Sequence, residues 1–119
     1  MEYKALHIVL AGNILFADLV KVIEESFNMN LNIINKKGRL EGRGDTELYT
    51  IFLVDKEDDL FEEPDEDYLL IIEPREKDYI VENIEDQIKE KLLINKIVWK
   101  RGIWIPVFMT ESFRELFPE

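Results

Sequence analysis

Carboxylates are the most abundant side chains in this sequence that could do chemistry, and they are concentrated in one stretch. Nine lie within residues 55–67, where Lys56 is the only base: Asp55, Glu57, Asp58, Asp59, Glu62, Glu63, Asp65, Glu66 and Asp67. Counted from Asp55, acids occupy positions one, three, five, nine and twelve of a calcium-binding loop. Position six of such a loop requires glycine for a sharp turn, but Leu60 stands there and Pro64 follows. We therefore expect no specific metal site, only weak binding of divalent cations.

Candidates for nucleophilic or acid–base catalysis are few. The chain has no cysteine, and neither Ser26 nor Ser112 lies in the Gly-x-Ser-x-Gly pattern of a nucleophile elbow. The single histidine, His7, shares a strand face with Ala5 and Val9, which favours a packed or interface residue over a general base. Paired-carboxylate catalysis stays open, because the sequence does not give the separations between the acids. We expect a binding protein without a cofactor rather than an enzyme.

A basic, glycine-rich stretch at residues 36–44 is a possible anion-binding site. Its glycines fit neither the phosphate-binding loop of nucleotide hydrolases nor the dinucleotide fingerprint. Its cations could still hold an anion through flexible turns, and the alternative is a solvated hairpin tip. The candidate anion-binding residues are Lys36, Lys37, Arg39 and Arg43.

Two short apolar runs flank the carboxylates and position them. Residues 48–54 and 68–72 are rich in β-branched and aromatic residues and too short for helices, which predicts strands. In both runs, apolar side chains fall on both faces of the strand. We therefore expect these two strands at the centre of a sheet. The acidic segment then connects two central strands and must lie in water or against a cationic partner, because burying unpaired carboxylates is costly.

The remaining patterns predict an α+β fold. Alternation predicts strands at residues 5–10 and, half-buried, at 29–34, followed by a long flexible hairpin connection at 36–44. Helical spacing predicts helices at 14–27 and 79–93, the second with Glu82, Glu85, Asp86, Lys89 and Glu90 on its outer face. The pattern over residues 96–109 predicts a strand or a short hairpin. The pattern over residues 110–117 predicts a short helix with Phe113, Leu116 and Phe117 on one face. We expect a single domain, residues 1–119, folded as a two-layer sandwich: a mixed sheet of about five strands with two main helices on one face.

Negative charge is concentrated in the middle of the sequence. Residues 45–90 carry four Lys and Arg against eighteen Asp and Glu, a net charge of −14, whereas residues 1–44 carry +1 and residues 91–119 carry +2. This field repels nucleic-acid phosphates and anionic lipid headgroups, so we expect neither nucleic-acid nor membrane binding. A basic protein is the natural complement. The alternative is that the acidity only keeps the protein soluble.

The N-terminal apolar run does not predict a signal peptide. Glu2 removes the positive start that such a peptide needs, and His7, Asn13 and Asp18 interrupt the apolar residues. No apolar stretch approaches the ~18 residues of a membrane span. These features, with the absence of cysteine, predict a cytoplasmic protein.

Leu60 and Phe61 are large apolar residues within the carboxylate run. They either fold back as an anchor on the core or form an aromatic contact ringed by steering charges. The hypothesis that follows is an acidic protein-binding module, of which the best-fitting biological case is a bacterial immunity or antidote protein that neutralises a basic toxin, such as a nuclease, by covering its active cleft. The residues predicted to bind the partner are Asp55, Glu57, Asp58, Asp59, Phe61, Glu62, Glu63, Asp65, Glu66 and Asp67. The alternative is a small-ligand or regulatory domain that binds an anion through residues 36–44.

Overall fold

The described part of the chain folds into a seven-stranded sheet and two helices. A computed structural model describes residues 3–56, 67–76, 78–108 and 112–118. The elements in chain order are β1 (Tyr3–Leu10), α1 (Phe16–Phe27), β2 (Asn32–Lys36), β3 (Arg39–Asp45), β4 (Tyr49–Val54), β5 (Tyr68–Pro74), α2 (Val81–Ile94), β6 (Trp99–Pro106) and β7 (Arg114–Leu116). The strand order is β2-β3-β4-β5-β1-β6-β7.

Every neighbouring pair of strands in this sheet is antiparallel. The predicted α+β class is therefore confirmed, whereas the expected mixed sheet of about five strands is wrong. β1 and β2, joined through α1, run in the same direction but are separated by β5, β4 and β3. The two runs that flank the acidic segment, β4 and β5, are neighbours in the middle of the sheet, as their composition predicts.

Both helices pack on one face of the sheet. Alternate residues of the central strands meet the apolar stripes of the two helices, and the resulting core has members such as Leu6, Ile8, Ile51, Leu70 and Trp104 from the strands. Leu19, Ile23 and Phe27 of α1 and Ile84, Ile88 and Leu92 of α2 complete it. The periodicity that predicts each helix thus marks the side that is buried.

The basic, glycine-rich stretch forms a hairpin as predicted, but a tight one between paired strands rather than a long flexible one. Only Lys37 and Gly38 form the turn, with φ of 55° and 90°. Positive φ at both positions is the geometry of a two-residue hairpin whose twist matches the flanking strands. The predicted half-buried strand at 29–34 is also corrected: β2 begins at Asn32, lies at the edge of the sheet and is exposed along its whole length.

The C-terminal region contains an edge strand within the range predicted as a short helix. β7 pairs with β6, with Arg114 opposite Trp104 and Leu116 opposite Gly102. Leu116 is buried, but Phe113 and Phe117 are each 50% exposed, so the predicted common apolar face is wrong. Within the described residues, neither helix combines the length and apolar character needed to cross a bilayer.

Candidate functional site at the acidic end of the sheet

The acidic segment joins the sheet at Asp55 and Asp67, at the adjoining ends of β4 and β5. Val54 is opposite Leu69 in the sheet register, so the two strands are about 5 Å apart where the segment leaves them. Asp55 and Asp67 belong to the described part of the chain. The other predicted partner-binding residues lie outside it, and their role stays a prediction: Glu57, Asp58, Asp59, Phe61, Glu62, Glu63, Asp65 and Glu66.

Backbone and lysine contacts fix the N-terminal end of the segment. The amide of Asp55 donates a hydrogen bond of 3.0 Å to the carbonyl of Leu40, and the Asp55 carboxylate accepts one of 2.7 Å from the amide of Lys56. The Lys56 amine donates to the carbonyl of Gly12 at 2.6 Å and lies 5.1 Å from the centre of the Tyr68 ring. The one base of the acidic stretch therefore ties it to the loop that follows β1.

An ion pair and a buried tyrosine fix the C-terminal end. The Lys100 amine lies 2.8 Å from the Asp67 carboxylate, with both side chains partly exposed. The hydroxyl of Tyr68 donates to the carbonyl of Ile14 at 2.6 Å, and its ring lies 5.8 Å from that of Phe16. Burial raises the pKa of Tyr68, and the charge of Asp55 raises it further, so this hydroxyl stays protonated and keeps its role as donor.

Cationic residues border the base of the acidic segment on the sheet face opposite the helices. They line a depression of about 430 Å³ between β3 and β6, together with Asp55, Asp67, Val9 and Leu69. These cations are Arg39, Lys100 and Arg101. The sequence gives little sign of this arrangement, because Lys100 and Arg101 have the pattern of a turn and lie more than thirty residues beyond the segment.

The four cations predicted to bind an anion are spread along the β2–β3 hairpin. Lys36 and Arg39 are opposite each other beside the turn that contains Lys37, and the Lys36 amine lies 2.9 Å from the Glu41 carboxylate. Arg39 Nε donates to the backbone carbonyl of Asp55 at 3.3 Å. Arg43 is four residues further along β3, about 13 Å away, and lies over the ring of Phe52 at 5.7 Å. The structure therefore places Lys36, Lys37 and Arg39 together at the hairpin turn and Arg43 apart from them.

Glu85 belongs to a buried polar cluster and not to the outer face of α2, so that prediction is wrong. Glu85 is 5% exposed and accepts hydrogen bonds from Trp104 Nε1 at 2.8 Å and from the Arg114 guanidinium at 2.8 and 2.9 Å. Burial raises the pKa of the Glu85 carboxyl, but the hydrogen bonds from Arg114 and Trp104, together with the positive charges of Arg114 and Lys89, lower it by more, and the pKa lies below its ordinary value. The partners lie 29 and 19 residues away, beyond the reach of a local pattern.

A wide groove of about 960 Å³ lies at the opposite end of the sheet, between the helices and the β3–β4 turn. Arg75 and Lys91 line it together with Asp45, Glu47 and Glu90. The Tyr49 hydroxyl at its base donates to Gln87 Oε1 at 2.9 Å. Its charges are mixed in sign, which does not favour a ligand of either charge.

In the described ranges, no three His, Asp or Glu side chains are grouped so that they could hold a metal ion. No protein-family model matches the sequence, and neither does any curated protein or solved structure.

Proposed function

We propose that this protein is an acidic binding protein whose segment 55–67 docks on a cationic surface of another protein. The observation that carries the proposal is the placement of the charge: nine carboxylates lie between two central strands whose ends are side by side. A charge spread evenly over a surface serves solubility. A charge collected in one short segment of the chain instead gives the molecule a directed field.

The anchored ends of the segment support a docking role. The contact of Lys56 with Gly12 and the ion pair of Lys100 with Asp67 hold the two ends of the segment. Tyr68 ties the start of β5 to the loop before α1. These contacts fix the points at which the segment leaves β4 and rejoins β5.

The biological case that best fits this proposal is an immunity or antidote protein that neutralises a basic toxin. A nuclease binds phosphates in a cationic cleft, and carboxylates from an inhibitor can occupy the same positions. Electrostatic steering raises the association rate constant toward ~10⁸–10⁹ M⁻¹s⁻¹ at low salt, against about 10⁵–10⁶ without it. Fast capture is the property that an antidote needs.

The test is capture from a lysate of the native host with two matched variants. The first replaces Asp58, Asp59, Glu62 and Glu63 by their amides. The second, a control, removes four charges from exposed helix positions by the same chemistry: Glu25, Glu82, Asp86 and Glu90. Proteins captured by the parent are identified by mass.

The expected result is a basic protein that the parent and the helix control retain and that the first variant loses. Equal loss in both variants would show that net charge alone matters, which contradicts docking through the segment. Equal retention in both would contradict it as well.

A second candidate function is the binding of a small anion beside the acidic segment. The observation in its favour is that Arg39, one of the predicted anion-binding residues, lines the same depression as Lys100 and Arg101. A bound anion stabilises the folded state by mass action. Inorganic phosphate should then raise the melting temperature of the parent protein and not that of Arg39→Gln. No rise at millimolar phosphate would refute this candidate.

A further inference from the structure

The face of the sheet opposite the helices carries a continuous apolar surface. No described helix or strand lies over it, since the core lies between the other face and the two helices. Its apolar side chains are partly exposed and come from four neighbouring strands: Val9, Phe52, Leu69, Ile71, Ile103 and Ile105. An apolar surface of this extent, bordered by charged residues, marks an interaction site.

The order of side chains across this open face is the basis of the inference. In one row, the register places Arg43, Phe52, Ile71, His7, Ile103 and Glu115 side by side from β3 to β7. The row thus begins with a cation, ends with an anion and is mainly apolar between them. In the neighbouring row, the order of the charges is reversed, with Glu41 on β3 and Arg101 on β6. In the first row, the charges at the two ends, Arg43 on β3 and Glu115 on β7, are therefore complementary.

We propose that the open face binds a second copy of this chain. A two-fold axis parallel to the strands, between β5 and β1, places β3 of one copy over β7 of the other and β4 over β6. Arg43 then meets the second copy's Glu115, and Phe52 meets its Ile103. Each contact occurs twice, as symmetry requires of an isologous interface. Two sheets packed in this way are about 10 Å apart with strands nearly aligned.

The size of the open face suits a reversible dimer. In this arrangement β2 has no strand opposite it. The six overlapping strands, from β3 to β7 in sheet order, are spaced about 4.8 Å apart with about 20 Å of strand length, which gives a footprint of about 500 Å² per copy. Two copies then bury about 1,000 Å², in the range of weak and transient interfaces. The pair is expected to associate in the micromolar range, because the buried centre is apolar and the charges lie at its rim.

Sedimentation velocity between about 1 and 500 µM, at a salt concentration where the Debye length is about 8 Å, tests the dimer. Phe52→Glu places a charge in the apolar part of the face, where Phe52 meets the second copy's Ile103, and should abolish association. Leu93→Glu is the matched control, because Leu93 is 79% exposed on α2 and lies on the helix side of the molecule. Circular dichroism of each variant monitors the fold.

A charge exchange tests the symmetry itself and uses residues exposed in the monomer. Arg43→Glu and Glu115→Arg, each alone, should weaken the dimer about tenfold, because each reverses two rim pairs. Both together should restore the parent dissociation constant within about threefold. A protein that stays monomeric at 500 µM would overturn the proposal. So would a dimer that tolerates Phe52→Glu, or a double variant as weak as the two singles.

Discussion

Replacement of Glu85 by glutamine tests how the C-terminal strand is held. The Glu85 carboxylate accepts three hydrogen bonds of 2.8 to 2.9 Å, two of them from Arg114 and one from Trp104. Glutamine retains one acceptor oxygen and turns an amide toward a guanidinium or an indole N–H. At least one donor then loses its partner, and the charge that Arg114 faces is gone.

The size of this loss in folding stability follows from how deeply Glu85 and Arg114 are buried. Removing one partner of a buried ion pair costs about 3–5 kcal/mol. Glu85 fits that case with 5% exposure, but the Arg114 side chain is 39% exposed and water can replace part of the interaction. We expect a loss of about 2–3 kcal/mol in the free energy of unfolding. For a chain of this size that lowers the melting temperature by roughly 8–12 °C.

Urea unfolding followed by circular dichroism measures this loss, with Glu82→Gln as control. Glu82 lies 3.9 Å from the same guanidinium and its side chain is 65% exposed, so its replacement should cost less than about 0.5 kcal/mol. A Glu85→Gln protein within 0.5 kcal/mol of the parent would refute the assignment of Glu85 as the buried anchor of β7.

The pH dependence gives a second readout of the same residue. Because the pKa of Glu85 is lower in the folded protein than its ordinary 4.5, its contribution is complete above that value. The contribution is lost as the pH falls through the folded-state pKa. The stability gap between parent and Glu85→Gln should therefore narrow in acid and stay constant near neutrality.

Three other predictions concern His7, Gly44 and Phe61. Burial lowers the pKa of His7; the charge of Glu73 opposes this shift and that of Lys4 adds to it. Because the unfolded state then binds more protons than the folded state, the free energy of unfolding falls as the pH drops below 6.5. His7→Gln should reduce the stability difference between about pH 7.5 and about pH 5.5, and an unchanged difference would contradict it. An alanine Cβ at Gly44 would lie 2.8 Å from the Asn30 carbonyl and against Met29 Sδ, so Gly44→Ala should cost about 1–3 kcal/mol by chemical unfolding. A Cβ at Gly42 would lie 2.9 Å from the flexible end of Ile33 and 3.3 Å from Leu31 Cβ, with side-chain atoms as its three nearest neighbours, so Gly42→Ala should cost less; equal costs would refute the backbone clash. Phe61→Ala should weaken partner capture by about 2 kcal/mol at unchanged melting temperature, whereas a lower melting temperature would favour the core anchor.

The elements that sequence periodicity predicts well are those whose own residues decide their burial. α1 and α2 each have an apolar stripe that alone determines which side faces the sheet. β4 and β5 have apolar residues on both faces, and only central positions in a sheet accept such strands. β4 and β5 also place the two ends of the acidic segment, so the position of those ends could be predicted.

The elements whose local sequence pattern predicts the wrong structure depend on residues far away in the chain. The β2–β3 hairpin has the composition of a flexible loop, yet Gly44 is glycine because the chain before β2 passes close to its backbone. β7 has a helical apolar spacing, but the register with β6 and the contact from Arg114 to Glu85 make it a strand. Glu85 itself has the spacing of a solvated residue. Its hydrogen-bond partners, Trp104 and Arg114, are too distant in the sequence for any local pattern to include them.

The dependence of the association rate on ionic strength tests the central claim most directly. With the captured partner purified, stopped-flow mixing between about 20 mM and about 500 mM salt gives the rate constant as the Debye length shortens. If the carboxylates of segment 55–67 steer the encounter, the rate constant should fall at least tenfold for the parent protein. It should change much less for the variant with amides at Asp58, Asp59, Glu62 and Glu63. An association rate that is equally fast at both salt concentrations would contradict the account.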